Sequence, residues 1–205
     1  MCSRYTRKNK KAKVGKKEVP IPAEPQPVIR PTDRASIIRS GSFDLEVAEL
    51  RWGLIPSWAQ DPKIGLQCIN ARSETVAEKP AFRDSFVRRR CLVPADSFFE
   101  WETHGRRKIP WRFERPHQES FCMAGLWDRW NSPEGPLETF TILTCAPNSL
   151  VGSVHSRMPV LLSPDQAEAW LHDGGSSHLL PAPDDFLLKL PVEPDLPSDS
   201  LFKLT

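Results

Sequence analysis

The sequence predicts a single α+β domain over residues 1–205, predominantly antiparallel β with a few short helices. Three observations carry this. Five apolar runs, at 90–93, 97–102, 109–114, 120–127 and 138–145, follow one another with turn-forming residues between them, such as His104-Gly105 and Asn131-Ser132-Pro133-Glu134-Gly135. Helix signals are few, and only one is well framed: Ser163 as N-cap, Pro164 at the first helical position and Gln166 three residues after the cap. A chain of 205 residues holds one core, and a hydrophobic share of 39% leaves room for tracts outside it.

In chain order, a pentapeptide Met1-Cys2-Ser3-Arg4-Tyr5 precedes an insertion at 7–28 that is rich in Lys and then in Pro. By composition that insertion cannot bury a core and is expected to be a flexible loop, with ordered chain resuming near Val28. Strands are expected at 36–39 and 43–52, separated by Gly41-Ser42. An aromatic loop, Arg51-Trp52-Gly53-Leu54-Ile55-Pro56-Ser57-Trp58-Ala59, leads to a brief apolar run at 66–71 that ends in polar Asn70. Residues 74–86 fit helix, but Pro80 divides them into two short pieces. After the five strands come a short helix at 148–154, a strand at 158–162 and the capped helix from Ser163 to about His172, stopped by Gly174-Gly175. A Pro/Asp-rich tail at 176–205 carries one strand candidate at 186–192.

Net charge is only +2, but it is unevenly spread. Arg4, Arg7, Lys8, Lys10, Lys11, Lys13, Lys16 and Lys17 form a basic head without an acid, while the last 25 residues hold five acids against two Lys. This polarity fits a polyanion partner and fits equally a solvated charge run. The five Cys (2, 68, 91, 122, 145) form no C-x-x-C, and no secretory apolar segment precedes them. Reduced thiols in the cytoplasm, nucleoid or nucleus are therefore expected, in a protein that is neither secreted nor membrane-bound. No metal-ligand spacing occurs, so neither metal nor cofactor is expected.

Cys2 is the residue with the most distinctive chemistry. Once an initiator Met1 is removed, Cys2 carries a thiol and a free α-amine two carbons apart. That pair traps an aldehyde: the amine forms an imine and the thiol closes a five-membered thiazolidine. Such a reaction needs an orienting group and an acid that later serves as base. Polar residues embedded in apolar runs are the candidates: Asn70 after Cys68-Ile69, Glu100 between Phe99 and Trp101, and His155 after Val154. Each also has an ordinary reading, as a solvent-facing or hydrogen-bonded side chain. Arg4, Arg72, Arg83, Arg157 and the Arg88-Arg89-Arg90 run are candidate phosphate contacts. Trp52, Trp58 and Pro31 are candidates for stacking on or wedging between bases, with core packing as the alternative for the two indoles.

Together these stretches resemble one family, the SOS response-associated peptidase (SRAP) family, whose members shield abasic sites in single-stranded DNA by covalent crosslinking. The resemblance runs in order through Met1-Cys2-Ser3-Arg4-Tyr5, Arg51-Trp52-Gly53-Leu54-Ile55-Pro56-Ser57-Trp58, Ile69-Asn70-Ala71-Arg72-Ser73-Glu74-Thr75, Pro94-Ala95-Asp96-Ser97-Phe98-Phe99-Glu100-Trp101, Ala124-Gly125-Leu126-Trp127 and His155-Ser156-Arg157-Met158-Pro159-Val160. It implies that Cys2 bonds the ring-opened aldehyde of an abasic deoxyribose and that Asn70 positions Cys2. It further implies that Glu100 is the general acid/base and that His155 assists ring opening. Arg4, Arg72 and Arg157 would hold phosphates, Thr144 would support the pocket, and Pro31 and Trp58 would sit where bases unstack. The implied partner is single-stranded DNA with abasic sites, met by a monomer, with strand cleavage by the same amine as a side reaction. Two other functions stay open: an N-terminal-nucleophile peptidase that removes its own leading residue, and a non-covalent single-strand binder with an incidental Cys2.

Overall fold

The computed structural model describes residues 2–174 and 179–192. The chain begins with β1 (Tyr5–Arg7), a hairpin of β2 (Lys11–Val14) and β3 (Lys17–Pro20), and then β4 (Gln26–Ile29). A second hairpin pairs β5 (Arg34–Ser40) with β6 (Leu45–Trp52). A 3-10 turn at Pro62–Leu66 leads to β7 (Asn70–Arg72), helix α1 (Arg83–Arg88), β8 (Arg90–Ala95), β9 (Ser97–His104) and β10 (Arg107–Glu114). The long hairpin β11 (Phe121–Ser132) and β12 (Gly135–Cys145) follows. The chain continues through helix α2 (Ser149–Gly152), β13 (Met158–Pro159), β14 (Leu161–Leu162), helix α3 (Pro164–His172) and β15 (Leu188–Pro191).

The strands form one domain with two layers. In the larger sheet the order β12-β6-β5-β8-β11 is closed by the β11–β12 pairing into a ring, so these five strands have no free edge. β12 meets β6 and β7 in parallel, whereas the other pairings of the ring are antiparallel. The second sheet has the order β15-β10-β9-β1-β4, which places β1 between two hydrogen-bonded neighbours. Aromatic side chains join the layers. Tyr5 of the second sheet packs edge-on against Trp52 of the ring, and Trp52 stacks on Phe140. Gly125 of β11 is closely packed: a Cβ there would come to 3.0 Å from Cys91 Sγ, Thr141 O and Val93 Cγ2.

The five strands read from apolar runs are all present, each extended by up to five residues. Helix α3 begins as its sequence dictates, with Ser163 and Gln166 forming a reciprocal capping box. Trp170 anchors it by donating from Nε1 to Cys91 O (3.0 Å). In the 74–86 stretch only Arg83–Arg88 becomes α-helix. The Arg88-Arg89-Arg90 run is largely structural: Arg89 pairs with buried Asp128 (3.1 Å), and Arg90 donates to the C-terminal carbonyls of two helices, Phe86 O and His172 O.

The expectation of a flexible insertion at 7–28 is corrected. Residues Lys11–Val14 alternate exposed Lys with buried Ala12 and Val14, a period-2 pattern that composition alone conceals. With Val19 and Ile21 they join the main core. The β2–β3 turn at Gly15 (φ 56°) is pinned by a hydrogen bond from Gly15 N to Pro164 O (2.7 Å). Asp96 fixes the start of the segment by accepting from Asn9 N (3.0 Å), Asn9 Nδ2 (2.7 Å) and Lys8 N, and buried Arg7 donates to the carbonyls of Ala23 and Glu24. Of the expected tail, β15 falls within the 186–192 candidate strand, while residues 176–178 and 193–205 lie outside the described residues.

Candidate functional site

β1 delivers Cys2 to the interior of the second sheet. It pairs with β9 at Tyr5↔Phe98, and Phe99 N donates to Arg4 O (3.0 Å), carrying the ladder toward Glu100. Cys2 is 1% exposed. Burial first, then the negative charge of Glu100, pushes its thiol far above the usual range, so the resting group is a neutral thiol that needs a base.

Asn70 reaches Cys2 from the other sheet. β7 pairs with β12 at Ile142↔Asn70, and Asn70 Nδ2 donates to Cys2 O (2.8 Å). Its Oδ1 is buried with no donor among the described residues, which leaves an acceptor for an amine or a sugar hydroxyl. Glu100, 2% exposed, is lifted from an ordinary 4.5 to about 7 by burial, against the opposing pull of the amino-terminal charge. That is the range in which one carboxyl both gives and takes protons near neutrality.

His155 lies after α2, its Nε2 4.0 Å from Glu100 Oε2. Its Nδ1 is 3.1 Å from both the amide nitrogen and the carbonyl oxygen of Arg157, so that backbone holds the ring. Burial lowers its pKa, which favours the neutral ring. Cys2, Asn70, Glu100 and His155 thus come from four separate parts of the chain to one place.

The candidate DNA contacts divide. Trp58 is 55% exposed, and Arg72 and Arg83 are exposed. Arg157 is held at the rim: it donates to both carboxylate oxygens of Glu74 (2.6 and 2.8 Å) and to Thr144 O (2.6 Å). Arg4 is buried beside Cys2, and Pro31 sits in a partly exposed turn.

One expectation is corrected. Trp52 is 0% exposed, its Nε1 donates to Ile69 O (2.8 Å), and its faces meet Tyr5 and Phe140, so it packs the core and has no surface for a base. Thr144, to which the resemblance gives a supporting place in the pocket, is buried; its carbonyl oxygen accepts from Arg157 Nη2 (2.6 Å), and its Oγ1 lies 3.4 Å from the same nitrogen. Asp96 escaped notice as the anchor of the N-terminal segment; its position between two apolar strands, in Ala95-Asp96-Ser97, was the available signal.

A small, mostly antiparallel β domain thus brings together a thiol, an amide, a carboxyl of raised pKa and an imidazole. A family model described as SOS response associated peptidase (SRAP) matches residues 1–194, and the chain belongs to that family. It is 49% identical over 139 residues to "Abasic site processing protein YoqW" of Bacillus subtilis (strain 168), a match that takes in 67% of this chain and 62% of that protein. Against "Abasic site processing protein HMCES" of Xenopus tropicalis, identity is 33% over 176 residues, covering 74% of this chain and 51% of the relative. A crystal structure of a protein from Bacteroides thetaiotaomicron superposes with a TM-score of 0.78 at 32% identity, covering 85% of this chain and 81% of the other. The chain spans about three fifths of the length of the Bacillus relatives it matches. No helix among the described residues is long and apolar enough to cross a membrane.

Proposed function

We propose that this chain processes abasic sites in single-stranded DNA by forming a covalent thiazolidine at Cys2 once Met1 is removed. The observation that carries the proposal is the convergence of Cys2, Asn70 and Glu100: a thiol next to a prospective α-amine, an amide holding its carbonyl, and a carboxyl that titrates at about 7. The names of the relatives support abasic DNA as the substrate class.

His155 takes the proton of the anomeric hydroxyl and returns it to the ring oxygen, which becomes a free hydroxyl as the deoxyribose opens to its aldehyde. The Cys2 amine adds to the aldehyde carbon to give a carbinolamine. Glu100 protonates the departing hydroxyl, and one water leaves as the protonated imine forms. The Cys2 thiol adds to the same carbon, its proton returns to the Glu100 carboxylate, and the thiazolidine closes. Trp58, Pro31, Arg72, Arg83 and Arg157 present stacking surface and charge to the strand.

The test is incubation with an abasic single strand and denaturing electrophoresis, beside an intact strand and the Cys2→Ala variant. A heat-stable adduct is expected only with the abasic strand and only with Cys2 present. An equal yield from Cys2→Ala would sink the proposal. The family's descriptive name favours a second reading, self-removal of Met1 by the same centre. Mass measurement on Glu100→Ala decides it: complete Met1 loss in that variant would rule out self-processing through Glu100.

A further inference from the structure

His155 is carried by a piece of chain that does little to support itself. It follows α2, a single turn of four residues, which is too short to be stable alone. Within that turn Asn148 Oδ1 accepts from Val151 N (2.9 Å), and Val154 N and His155 N both donate to Val151 O (2.9 Å). Yet the ring stands 4.0 Å from Glu100 Oε2, on a strand that is remote in sequence.

A second segment, residues 182–191, grips the turn at both ends. At its start, Ser149 N donates to Asp184 Oδ1 (2.8 Å), and Asn148 Nδ2 donates to the carbonyls of Ala182 (3.1 Å) and Pro183 (3.3 Å). At its end, Lys189 Nζ donates to Ser153 Oγ (3.1 Å), and that hydroxyl donates in turn to Leu150 O (2.7 Å). A carboxylate beside the first residues of a helix and an ammonium beside the last are the charges its dipole favours. Lys189 also reaches the other side of the site. Its Nζ lies 4.2 Å from the centroid of the Trp111 ring. Trp111 of β10 stands directly opposite Glu100 of β9 in the antiparallel ladder, so the two side chains share a face. Trp111 Nε1 donates to Glu102 Oε2 (2.8 Å), which fixes the indole plane. β15 pairs with β10 and places Lys189 opposite Phe113. One ammonium therefore connects the turn before His155 to the strand pair that carries Glu100.

We propose that Asp184 and Lys189 are positioning residues: together they brace α2 and so set the His155 imidazole against Glu100. This rests on the reading of the site as one that opens and traps an abasic sugar. Neither residue touches the reacting atoms. Both of their contacts to α2 are exposed to water and add little to global stability. What they restrict is the local opening of one short turn. The groups that face the ring are Glu100, Arg157 and the amino terminus, and burial comes ahead of Arg157 and the amino terminus in setting its pKa.

The experiment compares wild type, Asp184→Ala and Lys189→Met, each with Met1 removed. Single-turnover adduct formation is timed with an abasic single strand and with acetaldehyde, which is already a free aldehyde and needs no ring opening. The His155 ring is titrated by NMR in the same proteins. Each variant should react roughly tenfold more slowly with the abasic strand, as misplaced catalytic groups do, and at the wild-type rate with acetaldehyde. The imidazole should titrate at higher pH in both variants, because a loosened turn lets water reach it. Asp184→Ala is the diagnostic case: loss of a negative charge by itself lowers an imidazole pKa, so only release from burial raises it. Melting temperatures should stay within about 2 °C of wild type. An unchanged rate on the abasic strand, equal slowing with acetaldehyde, or a His155 titration that does not rise in Asp184→Ala would each overturn the brace. So would a melting temperature lowered well beyond that margin. If wild type forms no adduct, the functional reading fails, and the titration then decides the brace by itself.

Discussion

Glu100 offers the sharpest quantitative test, because its burial links protonation to stability. In the unfolded chain it ionises near 4.5, and in the folded protein at about 7. Below pH 4.5 both states hold the proton, and the residue costs nothing. Between these values the folded state keeps a proton that the unfolded chain has released, so stability falls as pH rises. Above about 7 the buried carboxylate is ionised and the penalty levels off. At about 1.4 kcal/mol per pH unit, the interval amounts to about 3 kcal/mol. Glu100→Gln removes the titration, so denaturant or thermal unfolding should be compared for both proteins from pH 4 to 8.5. The gap in favour of the variant should widen by about 3 kcal/mol between pH 4.5 and 8, or roughly 6–12 °C in melting temperature for a chain this size. The slope of the difference is diagnostic, because loss of a contact shifts the whole curve equally. A difference that does not vary with pH would refute both the desolvated carboxyl and its assignment as a neutral-pH acid.

The remaining predictions concern positioning and packing. Asn70→Ala removes the 2.8 Å hydrogen bond to Cys2 O, and adduct formation on abasic DNA should slow roughly 100-fold, as loss of near-attack geometry does; an unchanged single-turnover rate would show that Asn70 does not orient the nucleophile. Gly125→Ala forces a methyl into the three 3.0 Å contacts of the ring and should destabilise by about 1–3 kcal/mol in urea unfolding, with adduct chemistry intact in the folded fraction. Ser163→Ala breaks the capping box of α3 and should cost about 1 kcal/mol, readable in the same assay.

How far the sequence could be read depended on which signals are local. The β11–β12 hairpin and the capped start of α3 announce themselves through alternating apolar runs, Gly135 and Ser163, all within a few residues. Ring closure was not legible, because it depends on β12 meeting β6 and β7 in parallel across long stretches of chain. The β2–β3 hairpin was hidden by its lysines: composition suggests solvent, while Ala12 and Val14 face the core between them. Among the site residues, Asn70, Glu100 and His155 stood out as polar groups in apolar surroundings, which is also what gives Glu100 its raised pKa. Trp52 and Trp58 look alike in sequence, and only tertiary packing separates the core indole from the exposed one.

The position of β1 has a mechanical consequence. Chain ends usually fray, and a load attached to one peels it away a residue at a time. Here Cys2 leads into an interior strand hydrogen-bonded to β9 on one side and β4 on the other, with Tyr5 locked against Trp52. A DNA strand joined at Cys2 would pull on both ladders and the aromatic stack together. If the proposed adduct forms, tension on that strand would have to disrupt the sheet before it could extract the anchor.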